Sequence, residues 1–394
     1  MIKNLLSNNY SWLAFISGSA IIKVVNVAVS LIVASIVDRS EYGIYGLLLT
    51  YFSFSMAFIS AGRVSDSLVK KTSTNDVYVL KTIFIVLWGS LLWVLLFWIL
   101  ADILCLEIYN KFGVITLYLW LVAFILNNIT PSLFVSLDKG QILTKVGPVY
   151  VIIAALLFVC LELNLKFFFY TQISLALVYL LFLLQHVSVL SLVSLSPRRV
   201  LRKKSLSSDS AKFWIGDVLW ATINLVIVVL IGSRSMSVLG DYSLYNQLLF
   251  ILLFIPTTIA PLAVRDFASY SILSIVRVFT NKYTLLSSVG FLGLSLIAFF
   301  VLTNPLKVLS GLAIEESILV SFIFAGFGQV MHGIVISVFT ASKSFRILPL
   351  LKLLPKLTVL LVVACGLSNL SYIMLIKGIA SLLSVLFIVL IRKN

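Results

Sequence analysis

Long apolar blocks parted by short polar turns run the length of the chain. In the first half they cover about 12–37, 44–61, 79–104, 112–137, 146–161 and 167–193. In the second half they cover about 213–232, 242–264, 283–302, 318–340, 357–375 and 378–391. Most of them suit a helix crossing a hydrocarbon core of about 30 Å, which takes roughly 20 residues at about 1.5 Å each. The longest polar interruption, LSPRRVLRKKSLSSDSAK at 195–212, falls almost at the midpoint. It sets Arg198, Arg199, Arg202, Lys203, Lys204 and Lys212 against one acid, Asp209, and reads as a cytoplasmic connector. Period-2 alternation is absent, which argues against an outer-membrane barrel. The pattern predicts an all-α polytopic membrane protein with about twelve transmembrane helices. They form two parallel six-helix bundles, residues 1–194 and 213–394, around a central cleft. Pro256 and Pro261 are expected to bend the eighth block and Pro131 the fourth. The stretch 265–282 reads as a weakly amphipathic surface segment. Lys377 reads as a tight turn between the last two blocks, the second of which is short and is expected to start before the lysine.

The two halves echo each other. Asn26 precedes an apolar run and then Glu41-Tyr42-Gly43-Ile44-Tyr45-Gly46. Asn224 precedes an apolar run and then Asp241-Tyr242-Ser243-Leu244-Tyr245-Asn246. The acid-Tyr-x-aliphatic-Tyr pattern recurs at a nearly constant offset. An even number of spans per half gives both halves the same sense in the membrane. Repeats of that kind are related by an axis along the membrane normal, and transporters place their substrate sites where such repeats meet.

Composition supports the membrane reading: 61% of the 394 residues are hydrophobic and 11% charged, where soluble domains carry about 25% charged. The net charge of +15 would point to nucleic acid in a soluble protein. Here the basic residues concentrate in alternate loops, and no nucleic-acid partner is expected. With the N-terminus inside, only Arg39, Lys111, Lys166, Arg234, Lys307 and Lys377 fall on the far side. Lys352 and Lys356 count as cytoplasmic loop residues. By the positive-inside rule both termini are cytoplasmic. Cys105, Cys160 and Cys365 are scattered, without the spacing of a metal site or a disulfide framework. A P-loop is absent, as is any loop large enough for a catalytic domain, so no cofactor and no enzymatic activity are expected.

Lys23 is the sharpest single residue. It lies about 16 Å along the helix from Trp12, too deep for easy snorkelling. A lysine facing lipid there would cost about 2.5 kcal/mol or more. It therefore faces either a wet cavity, where it suits an anionic substrate, or an acidic partner. Asn26 shares its helical face. Asn26 and its repeat mate Asn224 either line the cleft, where they can bond sugar hydroxyls, or tie helices together. Asp217, near the start of the seventh block, has three readings: a gate paired with Lys23, a proton or sodium site, or a helix cap. His186 and His332 are gating or proton-coupling candidates, with helix packing as the alternative. Asn127, Asn128, Gln185 and Gln329 are weaker candidates of the same kind. Arg63 marks the cytoplasmic rim with Lys70 and Lys71, where these residues set topology or attract anionic head groups. The second half shows no deep lysine or arginine.

Ser17-Gly18-Ser19-Ala20, Lys23, Val33-Ala34-Ser35-Ile36-Val37-Asp38-Arg39-Ser40-Glu41-Tyr42-Gly43 and the later Gly62-Arg63 pair resemble the opening of bacterial O-antigen and polysaccharide flippases. That family is related to the multidrug and toxic compound extruders. The resemblance implies a carrier, in the bacterial inner membrane, for undecaprenyl-diphosphate-linked oligosaccharide repeat units. They would pass from the cytoplasmic to the periplasmic leaflet for O-antigen or related polysaccharide synthesis. It also implies that Lys23, and secondarily Arg63, meets the diphosphate while the polyprenyl tail stays in membrane lipid. A polysaccharide polymerase and a chain-length regulator are the implied protein partners. The alternatives are a multidrug-type exporter, which would want a more acidic cleft, and a membrane polysaccharide polymerase, which would want a long catalytic loop.

Overall fold

A computed structural model describes residues 2–60, 65, 68, 76–103, 113–137, 139–186, 208–268, 281–303, 316–342, 347–366 and 369–391. Nearly all of them are helical. The helices are α1 (Ile2–Ile36), α2 (Arg39–Ser60), α3 (Asp76–Ile103), α4 (Val114–Ser136), α5 (Leu143–Cys160), α6 (Leu165–His186) and α7 (Ser208–Arg234). They continue as α8 (Met236–Leu252), α9 (Phe254–Phe267), α10 (Lys282–Thr303), α11 (Glu316–Ala341), α12 (Leu348–Ala364) and α13 (Leu370–Ile391). Among the described residues eight helices are long and apolar enough to cross a membrane, and the bent pair α8–α9 makes a ninth. With α10, α12 and α13 the chain has about twelve spans. It is an all-α, multi-pass membrane protein. Six large apolar side chains are left exposed on α5, and four of them, Val149, Ile152, Leu156 and Val159, follow one helical stripe. That stripe is the face a helix turns to hydrocarbon.

Two of the expected boundaries are corrected. Lys377 is not a turn: α13 runs through it without a break. The turn lies earlier, where Gly366 takes a φ of +94° after α12, a backbone shape that glycine adopts without a Cβ clash. Lys352 and Lys356 are correspondingly not loop residues but lie inside α12. One lysine in an apolar run had divided a single helix in two. The expected bend in the eighth block is real, because α8 and α9 meet at 60°. Pro256 sits in the first turn of α9, where a missing N–H leaves no intrahelical bond unmade. Pro131 and Pro148, by contrast, lie inside the unbroken helices α4 and α5. The connector before residue 208 and the surface segment from 269 to 280 lie outside the described residues.

The chain forms two compact units, Met1–Val25 with Tyr51–Val218 and Asn26–Thr50 with Leu219–Asn394. In the first, α1 crosses α5 closely. A Cβ on Gly18 would strike the Leu143 backbone, and one on Gly147 would come within 3.3 Å of Ile21. Aromatic rings pack α2 against α3 and α4 in the same unit. Phe52 meets Trp120 edge-on at 4.7 Å, and Phe58 stacks on Trp93 at 5.1 Å. The Asn127 side-chain amide donates to both the backbone carbonyl and the Oε1 of Gln172, each at 3.0 Å, tying α4 to α6.

In the second unit the two repeated acid-Tyr segments meet. A Cβ on Gly43 would strike the Met236 carbonyl, one on Gly240 the Arg39 carbonyl, and one on Gly46 the Ser243 side chain. The Arg39 guanidinium lies 3.4 Å from the Asp241 carboxylate across the same contact. Small residues let helix backbones touch, which is how membrane helices associate when lipid removes any hydrophobic drive. Ile227, Val228, Leu239, Tyr242, Val359 and Met374 bury the core of this unit. A second close crossing joins α11 to α13, where a Cβ on Gly328 would lie 2.6 Å from the Gly378 carbonyl.

Two measurements check this arrangement. Gly240→Val is expected to cost about 1–3 kcal/mol through overpacking, seen as a lower thermal denaturation midpoint in detergent. Gly293→Ala, with nothing within 4 Å of the added carbon, should leave the midpoint unchanged. Cys160 and Cys365 are free and exposed at the C-terminal ends of α5 and α12. With cytoplasmic termini both ends face away from the cytoplasm, so a membrane-impermeant maleimide added to spheroplasts should label both. Labelling only after lysis would reverse the topology.

Candidate membrane-embedded polar site

The second unit contains what the sequence seemed to lack: two lysines within membrane-crossing helices. Lys356 on α12 donates from Nζ to Asn224 Oδ1 at 2.7 Å. Its ammonium also lies 5.1 Å from the centre of the Trp220 ring. Trp220 and Asn224 are one helical turn apart on α7, so one face of that helix supplies both contacts. A cation over an indole ring gains about 0.5–2 kcal/mol, more as water is excluded.

Lys377 on α13 donates from Nζ to Asn246 Oδ1 at 3.0 Å and is only 7% exposed. Asn246 is itself oriented, because its amide donates to the Tyr242 carbonyl at 2.9 Å. That leaves its oxygen turned to the lysine. Gly378, next in sequence, packs against Phe324 and Ala325 of α11, so the backbone at Lys377 is held from the other side.

The partners of these lysines are amides. Among the described residues neither lysine has a carboxylate within ion-pair distance. An amide oxygen accepts one bond and leaves the positive charge uncompensated. A lysine in the membrane costs about 2.5–3.5 kcal/mol, and one such bond returns about 0.6–2 kcal/mol. Each ammonium has three donors and one amide acceptor here. The arrangement is two lysines in apolar helices, each with donors to spare beyond its asparagine.

His332 proves to be a structural device. Its Nε2 donates to the Leu351 carbonyl at 2.9 Å. In a regular helix that carbonyl would receive the N–H of residue 355, but residue 355 is proline, which has none. The imidazole on α11 therefore completes the hydrogen bonding of α12, one turn before Lys356. His186 is likewise engaged locally at the end of α6: its Nδ1 donates to the Phe182 carbonyl at 2.8 Å, and its own carbonyl accepts from Lys139 Nζ at 2.9 Å.

Lys23 and Asn26 lie one turn apart, well inside the apolar span Ala14–Ile36. Asp217 lies near the start of α7. All three have interaction partners. Arg63 lies outside the described residues. Of the sequence candidates, the structure brings Asn224 into the lysine site. Sequence reasoning missed Lys356, Lys377 and Trp220, and quoted Asn246 only as part of the repeat. The signal for Lys377 was present: the run from Leu370 to Ile391 is long enough to cross a membrane if its one lysine is allowed to stay inside. Among the described residues no three His, Cys, Asp or Glu side chains gather to hold a metal.

No protein-family model matches the sequence, and no curated protein matches it. Solved structures do match the fold. An inward-facing multidrug resistance MATE family transporter of the MOP superfamily superposes with a TM-score of 0.59 at 11% identity, over 94% of this chain and 95% of that one. An outward-facing structure of such a transporter gives 0.58 at 12% identity, over 97% and 95%. The MATE transporter ClbM in complex with Rb+ gives 0.53 at 12% identity, over 94% and 92%. At these identities the likeness is one of fold, and the chain has the all-α membrane architecture of MATE transporters.

Proposed function

We propose that this protein is a flippase. It moves undecaprenyl-diphosphate-linked oligosaccharide repeat units from the cytoplasmic to the periplasmic leaflet of the inner membrane, with both its termini in the cytoplasm. A transporter fold supports a carrier in general. The observation that carries the finer reading is the pair of amide-held lysines, Lys356 on Asn224 and Lys377 on Asn246. A diphosphate brings the negative charge and acceptor oxygens those ammonium groups lack, and charge-assisted bonds to phosphate are among the strongest available. The polyprenyl tail stays in lipid, and no covalent bond is made or broken.

Multidrug export is the second reading, and the names of the structural neighbours favour it. An exporter of organic cations needs carboxylates or an open aromatic face at its site. Here the aromatic face of Trp220 is already taken by Lys356, and the lysine pair would repel a cation.

A leaflet-sidedness assay separates the two. In a strain lacking the gene, the lipid-linked repeat unit should accumulate facing the cytoplasm, and the wild-type gene should clear it. Lys356→Ala and Lys377→Ala should each lower clearance about 10- to 100-fold, the worth of one charge-assisted hydrogen bond. Lys356→Arg should retain most of it. Asn224→Asp, which supplies a carboxylate to neutralise Lys356 while keeping the contact, should lose clearance with normal protein levels in the membrane. Accumulation on the periplasmic side would point to a polymerase instead. Unimpaired clearance together with new sensitivity to organic cations would favour the exporter.

A further inference from the structure

A second chamber lies within the same unit, apart from the lysines. It is a cavity of about 230 Å³ where the bent α8–α9 pair meets α10 and α11. The cavity exists because α8 and α9 do not continue in line: the 60° bend draws α9 away from the path a straight helix would take. Along α9 its lining runs from Pro256 to Phe267, roughly 16 Å at about 1.5 Å per residue. The chamber is long for its volume.

Its wall behaves as hydrocarbon. Phe250, Leu253, Ile259, Phe267 and Ile334 line it, and among the described residues no charged side chain does. Three of the lining hydroxyls are turned back into the protein. Thr257 donates to the Phe254 carbonyl at 3.1 Å, Ser337 to the Gly333 carbonyl at 2.9 Å, and Tyr283 to the Asp266 carboxylate. The Gln329 amide nitrogen is closed to any molecule the size of water, so it offers no donor to the chamber. An apolar cavity stays dry and takes apolar guests. In a bilayer the guest at hand is an acyl chain.

The two ends of the chamber differ. At the bend Phe250 and Leu253 are apolar. At the far end Phe267 closes α9 and Tyr283 lies in the first turn of α10, and their rings meet edge-on at 6.1 Å. Basic residues flank this end. Lys282 carries its ammonium 5.0 Å from the centre of the Tyr283 ring, and its side chain is 64% exposed. Arg265 lies in the last turn of α9. Asp266, 4.0 Å from the Lys282 ammonium, offsets one of these two charges. A hydrocarbon slot with a basic end complements a molecule with an acyl tail and an anionic head, and basic pockets between membrane helices hold anionic lipid head groups. The volume falls below the range of about 300–1,000 Å³ of drug-sized ligand sites, which allows a stretch of one chain rather than a whole lipid. We infer that the α8–α11 cavity holds one acyl chain of an anionic phospholipid whose head group meets Lys282 and Arg265. Such a lipid binds here whichever substrate the carrier moves.

The experiment is native mass spectrometry of the purified full-length protein, delipidated in detergent. The probes are phosphatidylglycerol and phosphatidylethanolamine with the same acyl chains. One phosphatidylglycerol should bind the wild type about 10-fold or more tightly than phosphatidylethanolamine, the worth of one charge-assisted hydrogen bond. Gly333→Leu should abolish this binding by filling the cavity: Gly333 is in its lining, and a Cβ there meets nothing within 4 Å. Gly293→Leu adds the same side chain to α10 outside the lining, also with nothing within 4 Å of its Cβ, and should leave binding intact. Lys282→Gln, at an exposed side chain that the fold does not need, should bring phosphatidylglycerol down to the affinity of phosphatidylethanolamine, and decides the matter alone if Gly333→Leu does not fold. Lys356→Ala, which removes a lysine of the proposed diphosphate site, should change nothing here. A wild type with no preference between the two lipids overturns the site, as does a preference that survives Lys282→Gln or binding that survives Gly333→Leu. Displacement of phosphatidylglycerol by undecaprenyl diphosphate also overturns it, since the cavity would then belong to the polyprenyl tail.

Discussion

Water is absent from the hydrocarbon core of a bilayer, so a polar group there must find its partner inside the protein. Most of what is specific about this structure follows from that constraint. The carbonyl of Leu351 loses its helical donor to Pro355 and recovers one from His332 on a neighbouring helix. Asn127 spends its amide on Gln172 across the α4–α6 contact. Lys356 and Lys377 each take an asparagine. In the first two cases the bonds run between neighbouring helices and hold them together. Each lysine keeps further donors beyond the one bond to its asparagine.

The constraint also explains the glycines. Interhelical hydrogen bonds are short-ranged, so the helices that share them must approach closely. Gly328 and Gly378 bring α11 against α13 beside Lys377, while Gly43, Gly46 and Gly240 let α2 and α8 touch. The second contact is made from the two copies of the repeated acid-Tyr segment. The copies differ where the contact needs them to. Gly43 and Gly46 in one correspond to Ser243 and Asn246 in the other. Gly46 packs on Ser243, and Asn246 is released to serve Lys377. One copy supplies the smooth surface and the other supplies the polar chemistry.

Much of the fold was legible from the chain alone. Apolar run length counts spans, because a helix rises a constant distance per residue and a bilayer has a nearly constant thickness. The repeat, the bend at Pro256 and the depth of Lys23 were visible for equally local reasons. The last two spans were misjudged because a lysine inside an apolar run and a lysine ending one look the same in a hydropathy profile. Lys377 stays in the membrane only because Asn246, more than a hundred residues away in sequence, accepts its hydrogen bond.

The division is therefore between periodicity and partnership. The sequence by itself determined that the protein is helical and membrane-embedded. Each of those properties depends on the composition of one stretch at a time. Only the tertiary structure decided which partner each polar residue meets. His332 and Lys356 are both polar residues in apolar helices, and nothing local distinguishes them. One meets a carbonyl orphaned by a proline, which satisfies it. The other meets a single amide oxygen and an indole ring, which hold the ammonium without neutralising it. In a medium without water, what a polar residue does is set by what the fold places next to it.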